Sequence, residues 1–132
     1  MAGSPDVQCV NPATMATPGG HYSHVVVHAG VAYVSGQLPI ALEGRLPSES
    51  SFEQQARQVL ANVESALSGV HSSLDLVLRC TVYIADLADW PEFNRIYAEV
   101  FGAHRPARAV VPTGPLHFGY RVEMDAIAAV EP

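Results

Sequence analysis

The chain has 132 residues, 48% of them hydrophobic and 15% charged, with 7 Lys and Arg against 13 Asp and Glu for a formal charge of −6. That length fits one domain around one core, and the apolar share excludes a disordered chain. The acidic balance argues against a nucleic-acid partner, whose backbone calls for clustered cations, and no apolar run approaches the roughly 20 residues of a membrane span.

The first 20 residues are rich in Pro, Gly, Ala and Ser, and are expected to be irregular apart from a short strand near residues 7–10. They lack a basic start followed by an apolar block, so they do not read as a secretory signal. Residues 22–29 and 31–36 are β-branched and flank Ala29-Gly30, which predicts a hairpin. Residues 41–50 read as a loop. The period then changes: Phe52, Ala56, Val59, Leu60, Val63, Ala66, Leu67 and Val70 fall on one helical stripe. Ser51 with Gln54 forms a capping box at its start, and Gly69 suits its end.

Residues 76–84 read as a strand from their Val, Thr, Tyr and Ile content. Asp89 and Glu92 predict a second capping box. Trp90, Phe93, Ile96, Tyr97 and Val100 form a second stripe, ended by Gly102. Residues 107–111 and 120–130 are the last strands. Pro112 cannot donate to a ladder, so its strand should end early or lie at an edge. The order β-β-α-β-α-β-β predicts an α+β domain over residues 1–132, with a mixed sheet and two helices on one face. Val25, Val27, Val31, Val34, Cys80 and Val82 are too apolar for one face to absorb, so a second subunit is expected over the other face.

The two cysteines, Cys9 and Cys80, give neither a disulfide framework nor zinc spacing, which points to a reducing cytoplasm. His24 and His28 would share a strand face about 13 Å apart, too far to hold one metal, so they read as structural. No Gly-x-Ser-x-Gly elbow and no phosphate-binding glycine loop occurs. Two charges carry more interest. Arg108 opens an apolar strand in "RPARAVVPTGP", and Glu123 lies in the last strand, within "YRVEMDAIAAV". One reading is a cross-strand ion pair or a solvated sheet face. The other is a guanidinium that binds a planar carboxylate through its fork, beside a carboxylate that handles water. Composition does not choose between them.

Five segments in order, "YVSGQLP", "QQARQVLANVESAL", "CTVYIADLADWPEFNRIYAEVF", "RPAR" and "VEMDAIA", resemble the Rid family of reactive-intermediate deaminases, also called the YjgF or L-PSP family. The resemblance runs from about residue 22 to 129 and needs no gap between Arg108 and Glu123. It implies a chorismate-mutase-like fold, a homotrimer with clefts between subunits, and hydrolysis of enamines and imines such as 2-aminoacrylate to 2-oxo acids and ammonia, without metal or organic cofactor.

Carried across by residue, the resemblance makes Arg108 the carboxylate-binding group and Glu123 the group that positions or activates water. Tyr22, Ser35, Gly36 and Asn94 line the pocket, and the backbone of Val110 contacts the carboxylate. Three departures stand out. Val110 replaces a frequent cysteine, His21 a frequent proline, and "VPTGPLHFGY" a charged loop, so that His117 and Phe118 enter the pocket wall. These leave a second reading open, a protein with a specialised pathway substrate or one that binds a small carboxylate without turnover. The ribonuclease label that some relatives carry fits poorly with the acidic charge.

Overall fold

The computed structural model describes residues 6–132, so the first five residues of the expected irregular segment lie outside the described residues. Strand β1 (Gln8–Val10) precedes the hairpin β2 (Val25–His28) and β3 (Val31–Gln37). A small ribbon follows, β4 (Ile40–Ala41) and β5 (Gly44–Arg45), inside what reads from sequence as a loop; strands of two residues are too short to show alternation. Then come α1 (Phe52–Ser68), β6 (Val77–Ile84), α2 (Trp90–Phe101), β7 (Ala107–Pro112) and β8 (Val122–Ala129).

Six strands make one mixed sheet in the order β1-β2-β3-β8-β6-β7. Only β6 and β7 pair in parallel, as expected for strands joined through a crossover helix, here α2. The hairpin turn has φ 52° at Ala29 and 78° at Gly30. Two successive positive φ values match the twist of the flanking strands, and glycine takes the second without strain. Strand β7 is an outer strand and ends at Pro112, where the missing N–H does least harm.

The capping box at α1 is present: the Ser51 hydroxyl accepts from the Gln54 N–H, and the Gln54 carbonyl oxygen accepts from the Ser51 N–H, both at 3.1 Å. The second expected box is not. Asp89 has a backbone already helical (φ −82°, ψ −8°), unlike the extended capping residue, and its side chain makes no cap. Its carboxylate instead takes two N–H groups of Arg121, a charged two-pronged bond that outweighs a single amide cap. Asp86, three residues earlier, caps the turn Leu87–Asp89 through the Ala88 N–H at 2.9 Å.

Both helices pack into one core on one side of the sheet. All eight residues of the first stripe are buried, and so are Phe93, Ile96 and Tyr97 of the second. Each large side chain fully buried in this way contributes about 1.5–3 kcal/mol relative to exposure. The sheet supplies Val25, Ala32, Val34, Val77, Cys80, Val82, Ile84, Val122, Met124, Ala126 and Ala128. This corrects the sequence argument about the second face. Of the six residues that argument used, Val25, Val34, Cys80 and Val82 are buried in the helix-side core and Val27 packs against it; only Val31 alternates to the other side. The open face carries Val26, Tyr33 and Ile127 together with Thr81, Tyr83, Glu123 and Asp125.

Candidate functional site

The predicted site residues separate into two groups. The first gathers around Arg108. Strand β7 pairs in parallel with β6, with Arg108 beside Cys80 and Val110 beside Val82. Neighbours in register point the same way, and Cys80 and Val82 are buried against the helices. Arg108 and Val110 therefore rise on the helix side at the sheet's edge. There the Arg108 Nη1 donates to Asn94 Oδ1 at 3.1 Å. Its guanidinium carbon lies 4.7 Å from the Trp90 ring centroid and 4.8 Å from that of Tyr97. Asn94 thus does sit at the arginine, one turn along α2 from Trp90.

Arg108 is exposed and pairs with no carboxylate among the described residues. Beneath it the Tyr97 hydroxyl is enclosed without a well-aligned partner, next to the Cys80 thiol. Burial pushes the Tyr97 phenol far up, so it stays protonated. Burial also raises the Cys80 thiol, which makes it a structural group rather than a reactive thiolate.

The second group gathers around Glu123. Its neighbour Met124 points into the core, so Glu123 points to the open face. Strand β3 bulges between Val34 and Gln37 where it meets β8, so the Ser35–Gly36 pair is the irregular point of the ladder. The Glu123 carboxylate rests directly on Gly36: a Cβ built there would overlap Oε2. Glycine leaves the carboxylate that place; a larger residue would push it aside. Ser35 donates from its hydroxyl to the Ser23 carbonyl at 2.6 Å and from its N–H to the His24 carbonyl at 2.9 Å. These bonds hold the segment that carries Tyr22. A cavity of about 40 Å³ opens there, lined by Tyr22, Gly36, His24, Gln37, Met15 and Leu38 among others. It is wide enough for water, which needs only about 10–15 Å³ by this measure.

Burial raises the Glu123 carboxyl above its ordinary range; the nearby His117 pulls it partway back, and Asp125 adds to the rise. Asp125 shares the face, as alternation predicts, but accepts a hydrogen bond from the Tyr83 hydroxyl at 3.0 Å. His24, predicted structural, is buried; its Nε2 lies 2.7 Å from the Ala16 carbonyl and its Nδ1 3.3 Å from the Gln37 amide nitrogen. That arrangement makes Nε2 the donor and ties down the N-terminal loop.

The cross-strand ion pair between Arg108 and Glu123 does not form. Glu123 aligns with Tyr83 and Arg108 with Cys80, three positions away along β6 and on the opposite face. Strand geometry puts their Cα atoms about 14 Å apart. Sequence reasoning missed the aromatic rings at Arg108, because Trp90 and Tyr97 read as core stripe. Their spacing held a signal: Trp90, Asn94 and Tyr97 fall at i, i+4 and i+7, one face of α2. It also missed how the divergent loop is held. Phe118 has φ 61° and lies under the Arg45 guanidinium at 4.0 Å, while the Tyr120 hydroxyl donates to the Leu46 carbonyl at 2.6 Å.

Among the described residues, no group of three or more His, Cys, Asp or Glu could hold a metal ion, and no helix is long and apolar enough to cross a membrane.

The sequence profile described as endoribonuclease L-PSP matches residues 13–130. Protein HMF1 of Saccharomyces cerevisiae is 38% identical over 108 residues, covering 82% of this chain and 83% of that protein. The crystal structure of YyfA from Yersinia pestis, a protein of the conserved Rid family, superposes with a TM-score of 0.90 at 31% identity, covering 95% of this chain and all of that one. Escherichia coli TdcF, solved with bound serine, gives a TM-score of 0.88 at 26% identity, covering 94% of this chain and 99% of that one.

Proposed function

The chain belongs to the Rid/YjgF/L-PSP family, and on that premise we propose that it hydrolyses reactive 2-imino acids and their enamine tautomers to 2-oxo acids and ammonia. The observation that carries this reading is Arg108, a guanidinium held by Asn94 and two aromatic rings with no carboxylate of its own among the described residues. An arginine so arranged suits the carboxylate of a small acid. The serine bound to TdcF is itself a small molecule with a carboxylate, which supports the same class of ligand.

In this reading the working site joins the Arg108 group of one copy to the Glu123 group of the next, within a homotrimer. The substrate carboxylate lies in the Arg108 fork, with the Val110 backbone beside it. The imine carbon faces Glu123. Glu123 takes a proton from water as the water oxygen bonds to that carbon and the C=N electrons move to nitrogen. Glu123 returns that proton to the nitrogen, giving the neutral carbinolamine. It then takes the hydroxyl proton and passes it to the nitrogen, so that the C–N bond breaks, ammonia leaves and the C=O bond forms with Glu123 again a carboxylate. A carboxyl raised by burial suits both transfers, because its two protonation states lie closer in energy near neutral pH. Tyr22, Ser35 and Gly36 shape the Glu123 side. The reaction asks for little beyond orientation, since an imine conjugated to a carboxylate is already electrophilic.

The two cysteines are free, Cys9 exposed and Cys80 buried, which accords with a reducing compartment such as the cytoplasm. The acidic charge favours a small-molecule partner over RNA. One observation favours the second reading, a specialised substrate or binding without turnover. The loop carrying His117 and Phe118 is fixed beside Arg45 and brings groups to the Glu123 side that the family pattern does not require. A coupled assay decides between them: an amino-acid oxidase generates the imine, and its disappearance is followed with and without the protein. Faster disappearance supports deamination. No acceleration, with 2-oxo acid binding retained, supports the binder.

A further inference from the structure

We infer that Trp90 is a positioning residue for carboxylate binding, its ring holding the Arg108 guanidinium in the plane from which the outward N–H groups meet the ligand. This rests on the reading of Arg108 as the carboxylate-binding group. An exposed arginine ordinarily loses much rotamer freedom when it binds, and that loss weakens affinity. Here three contacts limit the freedom beforehand. Asn94 Oδ1 takes one N–H at 3.1 Å, and the rings of Trp90 and Tyr97 lie 4.7 and 4.8 Å from the guanidinium carbon. Asn94 uses one of the five N–H donors of the fork, and a ring face uses none. The ring contacts therefore orient the charge while leaving its donors for a ligand.

Of the two rings, Trp90 is the one whose position has less to do with the core. Tyr97 is 6% exposed and embedded in the cluster, whereas Trp90 is half-buried at the first turn of α2 and stacks on Phe93 at 6.3 Å. It is also the single tryptophan of the chain. Its emission therefore reports the state of Arg108 without any label.

The test uses pyruvate as the probe. In the wild-type protein, pyruvate should change the Trp90 emission, and Arg108→Ala should abolish that change. Calorimetric titration should show Trp90→Leu binding pyruvate about three- to tenfold more weakly, the size of a cation–π contact at a half-exposed site, with Trp90→Phe restoring most of the affinity because it restores a ring face. Melting curves on the same variants separate affinity from folding. Pyruvate affinity unchanged in Trp90→Leu, or equally weakened in both variants, would overturn the inference. So would a wild-type emission that stays constant while calorimetry shows binding. Absence of pyruvate binding to the wild-type protein is a different failure: it would remove the carboxylate reading of Arg108, and this inference with it.

Discussion

Arg108 and Glu123 face opposite sides of one sheet, three register positions and two strands apart. No small acid bound at one can reach the other within a single copy. Each lies with its own neighbours, Arg108 with Asn94, Trp90 and Tyr97, and Glu123 with Gly36, which also lines the cavity beside Tyr22. Under the proposed function the two groups are half-sites, which suits a closed ring of copies in which each contributes one half to either neighbour.

Arg108→Lys keeps the charge and loses the planar fork, and Arg108→Ala loses both. A charge-assisted hydrogen bond is worth about 1.5–3 kcal/mol, so pyruvate affinity should fall by roughly one to two powers of ten in the alanine variant. The melting temperature should change little, because Arg108 is exposed and leaves no orphaned carboxylate behind. Calorimetry and thermal melting on both variants check this. A large melting loss with unchanged affinity would make Arg108 structural.

Glu123→Gln should cut imine turnover while leaving pyruvate binding largely intact. It should also change stability with pH. The Glu123 pKa is raised on folding, so the stability linked to its protonation is fully present below the ordinary value of 4.5 and is lost as pH rises through the folded value. The glutamine variant avoids that loss. It should melt at or above the wild-type temperature at pH 7, and the difference should shrink as pH falls toward 4. The acid limb of wild-type turnover should likewise lie above pH 4.5, because the base must be ionised to accept a proton.

Gly36→Ala tests the support of the carboxylate. The new methyl overlaps Glu123 Oε2, and either the carboxylate or β3 must shift. The overlapping atom ends a flexible side chain, so the carboxylate moves aside and the loss of stability is small, about the 0.5–1.5 kcal/mol of a displaced rotamer. Turnover should fall by more than affinity for pyruvate does, since Arg108 lies on the other face. Equal turnover in the alanine variant would show that the observed Glu123 position is not the working one.

Asp89→Ala removes the acceptor of two Arg121 N–H groups that tie the start of α2 to the start of β8. Asp89 is 12% exposed but Arg121 is 43% exposed, so solvent weakens the pair and a loss of about 1–2 kcal/mol is expected. Denaturant unfolding measures it directly. An unchanged midpoint would mean that the pair contributes nothing to stability.

The helices and strands were legible because their stripes and alternation report burial. Every residue of the first stripe is buried, and the Ser51–Gln54 box forms as written. The Asp89–Glu92 pattern has the same letters but a different outcome, because Arg121, 32 residues away, competes for the carboxylate. Local sequence cannot show such a competitor. Faces were harder than elements: strand alternation gives parity but not which parity is inside, and the valines assigned to two faces lie almost entirely on one. At the site, family resemblance pointed to the residues, and chain topology supplied their separation. The division of Arg108 from Glu123 depends on the parallel register of β7 with β6, which no short-range pattern encodes.

The central claim is that Arg108 of one copy and Glu123 of its neighbour act on one substrate. The direct measurement is imine turnover by mixed oligomers, made by coexpressing Arg108→Ala and Glu123→Gln chains and purifying them together. Each variant alone should be nearly inactive. In randomly mixed closed rings, about a quarter of the interfaces would pair an intact Arg108 with an intact Glu123, so activity should return to about a quarter of the wild-type level. Mixed oligomers no more active than the two separate variants would contradict the account, because no site would then have been rebuilt between copies.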